Sequence, residues 1–485
     1  MKLWVNYGNA IITNTSYETD NRINVFRNIS LTTRQIGKRI NFMNNKISEN
    51  SLPLHLNSLT EMKYQLEFSK YIGSEIRLPA SKSISNRALI LNALSGNKSP
   101  VNNLSDCDDT NVMLAAFSSG SNNIDIGAAG TSMRFLTAYL AQKDGEWTIT
   151  GSERMKNRPI RILVDALKQL GADIEYMEKE GFPPLKINGK KLQGGKISLD
   201  GSISSQYISA LMMIAPAMSE GLTLNLTGNV ISQPYIRMTS RMMHDFGVKV
   251  EWEQQIISIK PQNYVPCTYT VESDWSAASY WYEILSFCPQ GSEIKLTGLF
   301  ENSLQGDAKG SLLFRFLNVV TEFTDNGVRI KNQVLDACAD GVCVGRDESG
   351  IEFKYDFVNE PDLAQTFVVS CALKNIPFRF TGLQSLRIKE TDRMSALQKE
   401  MKKLGYVIHD YNDCELVWSG ERCEPETNPV IDTYEDHRMA MSFAPAAIIF
   451  GKININEPHV VSKSYPAFWD DLKSIGFTLS ALSSE

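Results

Sequence analysis

Ala80-Ser-Lys-Ser-Ile-Ser-Asn-Arg-Ala88 sets three hydroxyls, a lysine and an arginine around the point where an extended run passes into a helix of small and apolar residues. A helix that opens on such a turn presents unpaired backbone N–H groups and the positive end of its dipole, which together attract anions. The layout recurs in Gly127-Ala-Ala-Gly-Thr-Ser-Met-Arg134, Gly201-Ser-Ile-Ser-Ser-Gln-Tyr207, Glu272-Ser-Asp-Trp-Ser-Ala-Ala-Ser279, Glu360-Pro-Asp-Leu-Ala-Gln365 and Tyr434-Glu-Asp-His-Arg-Met-Ala440. The spacing is irregular, so the chain is no solenoid. Between the turns lie β-rich stretches such as residues 195–200 and 222–227, and amphipathic helical ones such as 160–170, stopped by Gly171. The pattern predicts an α/β protein with several copies of one supersecondary unit.

Singly, each turn reads as a helix cap, because Ser, Asp and Gly satisfy first-turn N–H groups wherever helices start. The side chains beside the turns say more: Lys82 and Arg87, Arg134, Gln206, Asp362, and His437 with Arg438. Three other segments are basic: Leu386-Arg-Ile-Lys-Glu-Thr-Asp-Arg393, Arg154-Met-Lys-Asn-Arg158-Pro and Val461-Ser-Lys463-Ser-Tyr-Pro. Guanidinium groups grip carboxylates and phosphates bidentately, so the arginines point to one or two small polyanions carrying both groups. Burying such charge uncompensated costs several kcal/mol per ion, which calls for many cations in one place. Ser232 and Tyr235 alone read as loop and core, Arg134 and Arg237 as structural or solvent-facing, and Asp274 as a cap. Trp275, Tyr280 and Trp281 read as core packing.

A net charge of −6 disfavours a nucleic-acid partner. The eight cysteines form no Cys-x-x-Cys pair and read as reduced thiols of a cytoplasmic protein; Cys107 shows no basic partner in sequence. The longest apolar runs, such as residues 439–450, fall short of the roughly 20 residues that cross a bilayer. Neither a Gly-x-x-x-x-Gly-Lys-Ser/Thr loop, a dinucleotide fingerprint nor a metal spacing of the five histidines occurs, so no cofactor and no metal is expected. Residues 1–61, rich in Asn and poor in carboxylates, read as a poorly ordered extension or an early start ahead of Met62, with an organellar transit peptide as the alternative.

Five segments, Leu78-Pro-Ala-Ser-Lys-Ser-Ile-Ser-Asn-Arg-Ala88, Gly130-Thr-Ser-Met-Arg134, Arg154-Met-Lys-Asn-Arg-Pro159, Lys389-Glu-Thr-Asp-Arg393 and Asp436-His-Arg-Met-Ala440, resemble in order and spacing the signatures of 5-enolpyruvylshikimate-3-phosphate synthases. The resemblance implies a two-domain, inside-out α/β barrel of six βαβαββ units, with residues 82–272 in one domain and 62–81 plus 273–485 in the other. It implies transfer of the enolpyruvyl group of phosphoenolpyruvate to the 5-hydroxyl of shikimate 3-phosphate, a step toward aromatic amino acids, by a monomer. Shikimate 3-phosphate would be held by Lys82, Ser83, Arg87, Ser204, Ser205, Gln206, Ser232, Tyr235, Asp362, Ser385 and Lys389. Phosphoenolpyruvate would be held by Lys82, Gly130, Arg158, Gln206, Arg393, Arg438 and Lys463. Asp362 would be the base and Glu390 the acid–base at the enol methylene, assisted by Lys82 and His437.

The chain departs from the family pattern at Ala128, Ser385 and Glu435, where Asn is usual, and at Phe135, where Pro often stands; Ala128 and Phe135 are expected to border the phosphoenolpyruvate pocket. The related UDP-N-acetylglucosamine enolpyruvyl transferases lack the Ser-Lys-Ser-x-Ser-Asn-Arg pattern, and an RNA 3′-phosphate cyclase would need a basic groove. A binding protein without turnover would have no use for Asp362, Glu390, Lys82 and Lys463 together. Residues 309–354 match the family poorly and are expected to supply strands and a helix.

Overall fold

One strand arrangement is written five times among the described residues. Each four-stranded sheet begins with a parallel pair, the second strand of that pair takes an antiparallel neighbour, and that neighbour takes another. The computed structural model that shows this describes residues 6–7, 10–11, 62–68, 74–96, 98–334 and 352–482. Parallel strands need a crossover. Helix α2 (Gly130–Gln142) joins Asn123–Asp125 to Gly145–Thr150, and α3 (Ser205–Ile214) joins Gly195–Asp200 to Leu222–Thr227. Likewise α5 (Ala364–Leu373) joins Phe353–Asp356 to Phe378–Thr381, and α6 (His437–Phe443) joins Val430–Ile431 to Lys452–Asn456. The remaining helices of the repeated turns are α1 (Lys82–Leu94) and α4 (Trp275–Phe287).

The α/β class is as the sequence predicts. The sheets stay open and separate, and none closes on itself among the described residues. Two sheets take strands from far along the chain. Glu75–Arg77 pairs with Glu293–Thr297, and Lys63–Phe68 inserts between Lys452–Asn456 and Phe477–Leu482. A shorter parallel pair joins Val101–Asn102 to Tyr269–Thr270.

The apolar side chains gather in two cores, one drawn from residues 80–271 and the other from 66–78 and 275–477. Every residue of α5 is buried, as its apolar circumference requires. The chain passes between the cores twice. The passes lie side by side, with Ala80 bridged to Ser273 and the Ser81 N–H donating to the Glu272 carbonyl at 2.8 Å.

Among the described residues no helix is long and apolar enough to cross a membrane. Within residues 1–60 only the paired strands Asn6–Tyr7 and Ala10–Ile11 are described, so the expectation of a poorly ordered extension lies outside the described residues. The poorly matching stretch supplies a short helix, Gly310–Leu313, and strands Val319–Thr324 and Gly327–Asn332; residues 335–351 lie outside the described set.

Leu66, fully buried, ties the inserted strand to the second core. Leu66→Ala is expected to lower unfolding stability by about 2–5 kcal/mol, read by urea denaturation.

Candidate active site

All six repeated turns open on one cleft of about 700 Å³ between the two cores. Four of the helices are also capped from within. Ser81 accepts from the Ile84 N–H, Ser204 from Gln206, Asp274 from Ser276 and Ala277, and Asp436 from Arg438. Capping fixes where each first turn sits, so the functional side chains next to it are aimed by the same bonds. At α2 the device is a missing side chain. A Cβ on Gly130 would lie 2.6 Å from Arg158 Nη1 and 2.7 Å from Arg134 Nη1, so only glycine lets two guanidinium groups close on the helix start.

Arg393 is the centre of the charged floor. It is 1% exposed and its donors reach three carboxylates. Nη1 meets Asp362 Oδ1 at 3.0 Å, Nη2 meets Glu390 Oε2 at 2.8 Å, and Nε meets Asp436 Oδ2 at 2.7 Å. Asp362 also accepts from Tyr235 Oη at 2.9 Å and lies 3.1 Å from Arg438 Nη2 and 3.7 Å from Lys389 Nζ. Burial would raise its pKa, but Arg438, Lys389 and Arg393 outweigh it and hold the carboxyl well below the usual range. Glu390 is depressed in the same way: burial opposes ionisation, and Lys463, at 3.6 Å, with Arg393 and Arg158 overcomes it. Both carboxyls are held as anions.

Opposite them, Lys82 lies 3.5 Å from Asp109. Burial would lower its pKa, yet Asp109, Cys107 and Glu390 raise it to about 12. Arg158 and Arg87 go the other way, each lowered to about 10, chiefly by burial; Arg134 adds to the effect at Arg158. Arg87 donates to Thr239 Oγ1 at 2.7 Å and Ser209 Oγ at 3.1 Å, and its guanidinium lies 5.2 Å from the Phe135 ring centroid. His437 is kept neutral by burial and by the charges of Lys82 and Arg438, and neither ring nitrogen has a hydrogen-bond partner among the described residues. A pocket with a surplus of pinned cations, two ionised carboxylates and a neutral imidazole can hold polyanions and exchange protons with them.

Ser83, Ser204, Ser205, Gln206, Ser232, Tyr235, Ser385 and Lys389 line this cleft along with Lys82, Arg87, Gly130, Arg158, Asp362, Glu390, Arg393, His437 and Arg438. Lys463 is not part of the lining, and reaches the site through Glu390. Several readings change. Tyr235 is a cleft residue rather than core, because its hydroxyl finds Asp362 on the other half of the chain. Arg134 is buried in the cleft wall and does not face solvent. Tyr280 is packed as expected, yet its hydroxyl accepts from Arg438 Nη1 at 3.2 Å.

Arg387 turns away from the cleft to Asp392, Asp410 and Asp413. Arg154 pairs with Glu435 at 2.5 Å, so the departure from Asn at that position makes an ion pair between the halves. Ala128 and Phe135 do not line the cleft: Phe135 is fully buried, and Ala128 is exposed. Lys82 comes near Cys107 in space, but burial pushes that thiol up. Asp109, Gln305 and Asp307 line the cleft without having been singled out from sequence. The repeated acids of residues 106–109 were a signal for Asp109; the segment Ser303-Leu-Gln-Gly-Asp307 carries no cation that would have drawn attention.

A two-cored α/β chain with a cationic cleft and a pair of fixed carboxylates fits an enzyme acting on small polyanions. The profile of the family described as EPSP synthase (3-phosphoshikimate 1-carboxyvinyltransferase) matches residues 66–119 and 116–472. A 3-phosphoshikimate 1-carboxyvinyltransferase of Bacteroides fragilis is 58% identical over 417 residues, covering 86% of this chain and 98% of that one. The enzyme of that name from Aliivibrio salmonicida is 36% identical over 434 residues, covering 83% and 97%. The solved EPSP synthase of Acinetobacter baumannii superposes with a TM-score of 0.68 at 21% identity, over 87% of this chain and all of that one. This chain belongs to the EPSP synthase family.

Arg393→Met would leave three carboxylates short of their cation, Asp436 fully buried and Asp362 and Glu390 largely so, and is expected to cost about 3–5 kcal/mol at neutral pH. Asp362 and Glu390, being depressed, contribute stability above about pH 4 that is lost as the pH falls through their folded values. The gap between wild type and variant should therefore narrow in acid, which denaturation at pH 7 and pH 3.5 would test.

Proposed function

We propose that the cleft binds shikimate 3-phosphate and phosphoenolpyruvate together and carries out acid–base chemistry between them. As a member of its family, the chain transfers the enolpyruvyl group of phosphoenolpyruvate to the 5-hydroxyl of shikimate 3-phosphate, releasing phosphate, in the shikimate pathway toward aromatic amino acids. The observation that carries the residue assignment is Asp362. A carboxylate held ionised by Arg438, Lys389 and Arg393, and aimed by Tyr235, is what a base for a ring hydroxyl requires.

In this reading Lys82, Ser83, Arg87, Ser204, Ser205, Gln206, Ser232, Tyr235, Asp362, Ser385 and Lys389 hold shikimate 3-phosphate. Lys82, Gly130, Arg158, Gln206, Arg393, Arg438 and Lys463 hold phosphoenolpyruvate. Asp362 takes the proton of the 5-hydroxyl as its oxygen attacks C2 of the enol, and a proton is delivered to the methylene carbon. The methyl group so formed then gives a proton back as phosphate leaves, restoring the methylene.

Glu390 serves the methylene. Its carboxyl is held ionised, but the cations that depress it are the proposed phosphoenolpyruvate ligands. Anion binding to Arg158, Arg393 and Lys463 offsets their field, which raises Glu390 toward protonation. Lys82, raised to about 12, keeps its charge and assists, and His437, neutral, completes the pocket.

The two cores are read as domains of residues 82–272 and 62–81 with 273–485, each an inside-out barrel of three βαβαββ units. They are read as closing on the ligands, because each core contributes cations to the cleft. The protein is read as a cytoplasmic monomer that uses no cofactor, no metal and no nucleic acid.

The purified protein is expected to release phosphate only when both substrates are present, with a metal chelator making no difference. Release from phosphoenolpyruvate alone would sink the assignment. Asp362→Asn should lower kcat by roughly 10²–10⁴-fold while phosphoenolpyruvate still binds, as read by initial rates and by calorimetry.

A further inference from the structure

Asp307 sits in the short turn Gly306–Lys309 that follows Ser303-Leu-Gln, on the floor of the cleft and 3% exposed. The turn is pinned against the other half of the chain, since a Cβ on Gly306 would come within 2.7 Å of Pro234 Cβ. Ser276 Oγ donates to Asp307 Oδ2, while Oδ1 is buried without a hydrogen-bond partner among the described residues. Asp362, by contrast, is held by a phenol, two guanidinium groups and an ammonium.

The charged and titratable groups facing Asp307 are Asp362, Asp274, Tyr235, Tyr355 and Arg438. Arg438, the cation among them, is already engaged with Asp362 and Tyr280. A buried carboxylate with one hydroxyl donor and two acidic neighbours is disfavoured against its neutral form.

We propose that Asp307 is a positioning residue that must carry a proton for the cleft to take its anionic ligands. Neutral, it leaves Arg438 to Asp362 and adds no charge to the floor. Ionised, it competes for that arginine and repels both ligands. The reading rests on the function proposed above. Burial first, then the charge of Asp362, raise this carboxyl to about 7, with Arg438 pulling the other way, so the change falls within the working range of pH. By reciprocity, ligand binding draws a proton onto Asp307.

The test is KM for each substrate, by phosphate release, between pH 6.5 and 8.5. If only the neutral form binds, KM in the wild type should rise by about 25-fold across that window. In Asp307→Asn, which mimics the protonated carboxyl, the same ratio should collapse toward that of the substrates' own titration. Ser276→Ala gives the second arm. The Ser276 hydroxyl favours the ionised form, so losing it should move the rise in KM to higher pH. A rise that persists unchanged in Asp307→Asn overturns the proposal; if that variant does not fold, an unmoved rise in Ser276→Ala does so. Failure of the wild type to release phosphate at pH 6.5 would instead strike the functional reading itself.

Discussion

One guanidinium holds the site together. Arg393 is nearly inaccessible, and its nitrogens are divided among Asp362 from the turn before α5, Glu390 from its own loop, and Asp436 from the cap of α6. Three carboxylates this close would repel one another without it. With it they stay fixed, Asp362 and Glu390 as anions, and three separate chain segments acquire a common reference point. Asp436 shows the economy of the arrangement, because the same carboxylate also caps α6 and so aims Arg438 at Asp362. The acid–base apparatus is thus organised by a cation that belongs to the binding surface.

The fold was legible because turn chemistry repeats. Each Ser, Asp or Gly that stops a strand and starts a helix marks one unit, and the residue types next to it marked the cleft before any geometry was known. The alternation in residues 386–393 was legible only in part. Lys389, Glu390 and Arg393 face the cleft, whereas Arg387, equally basic on paper, is taken by Asp392, Asp410 and Asp413 because the loop turns between them. Tyr235 could not be read from its own segment, since its meaning depends on a carboxylate 127 residues away. Asp307 shows the opposite limit: burial and a like-charged neighbour give it its character, and neither is written in the sequence around it.

The two halves meet through polar groups rather than a shared apolar core. Tyr235 with Asp362, Arg154 with Glu435, and Ser462 with Asp108 at 2.6 Å all join one half to the other. The outer pairs are partly exposed and individually worth less than about 1 kcal/mol. Such a seam yields at little cost, while the paired crossings at Ala80 and Ser273 keep the halves in register.

The strand Lys63–Phe68 gives the chain a history as well as a shape. Gln65 donates to Asn454, 389 residues later, so on the ribosome this strand emerges long before the strands that flank it. At about 5–20 residues per second the wait is roughly 20–80 s, long enough for the core of residues 80–271 to form by itself. Throughout that interval the strand lacks both of its neighbours, and the apolar face carrying Leu66 has no native place to go. Synthesis therefore passes through a finished half tethered to an unfinished one, and two strands made late, Lys452–Asn456 and Phe477–Leu482, are those that sew an early one in.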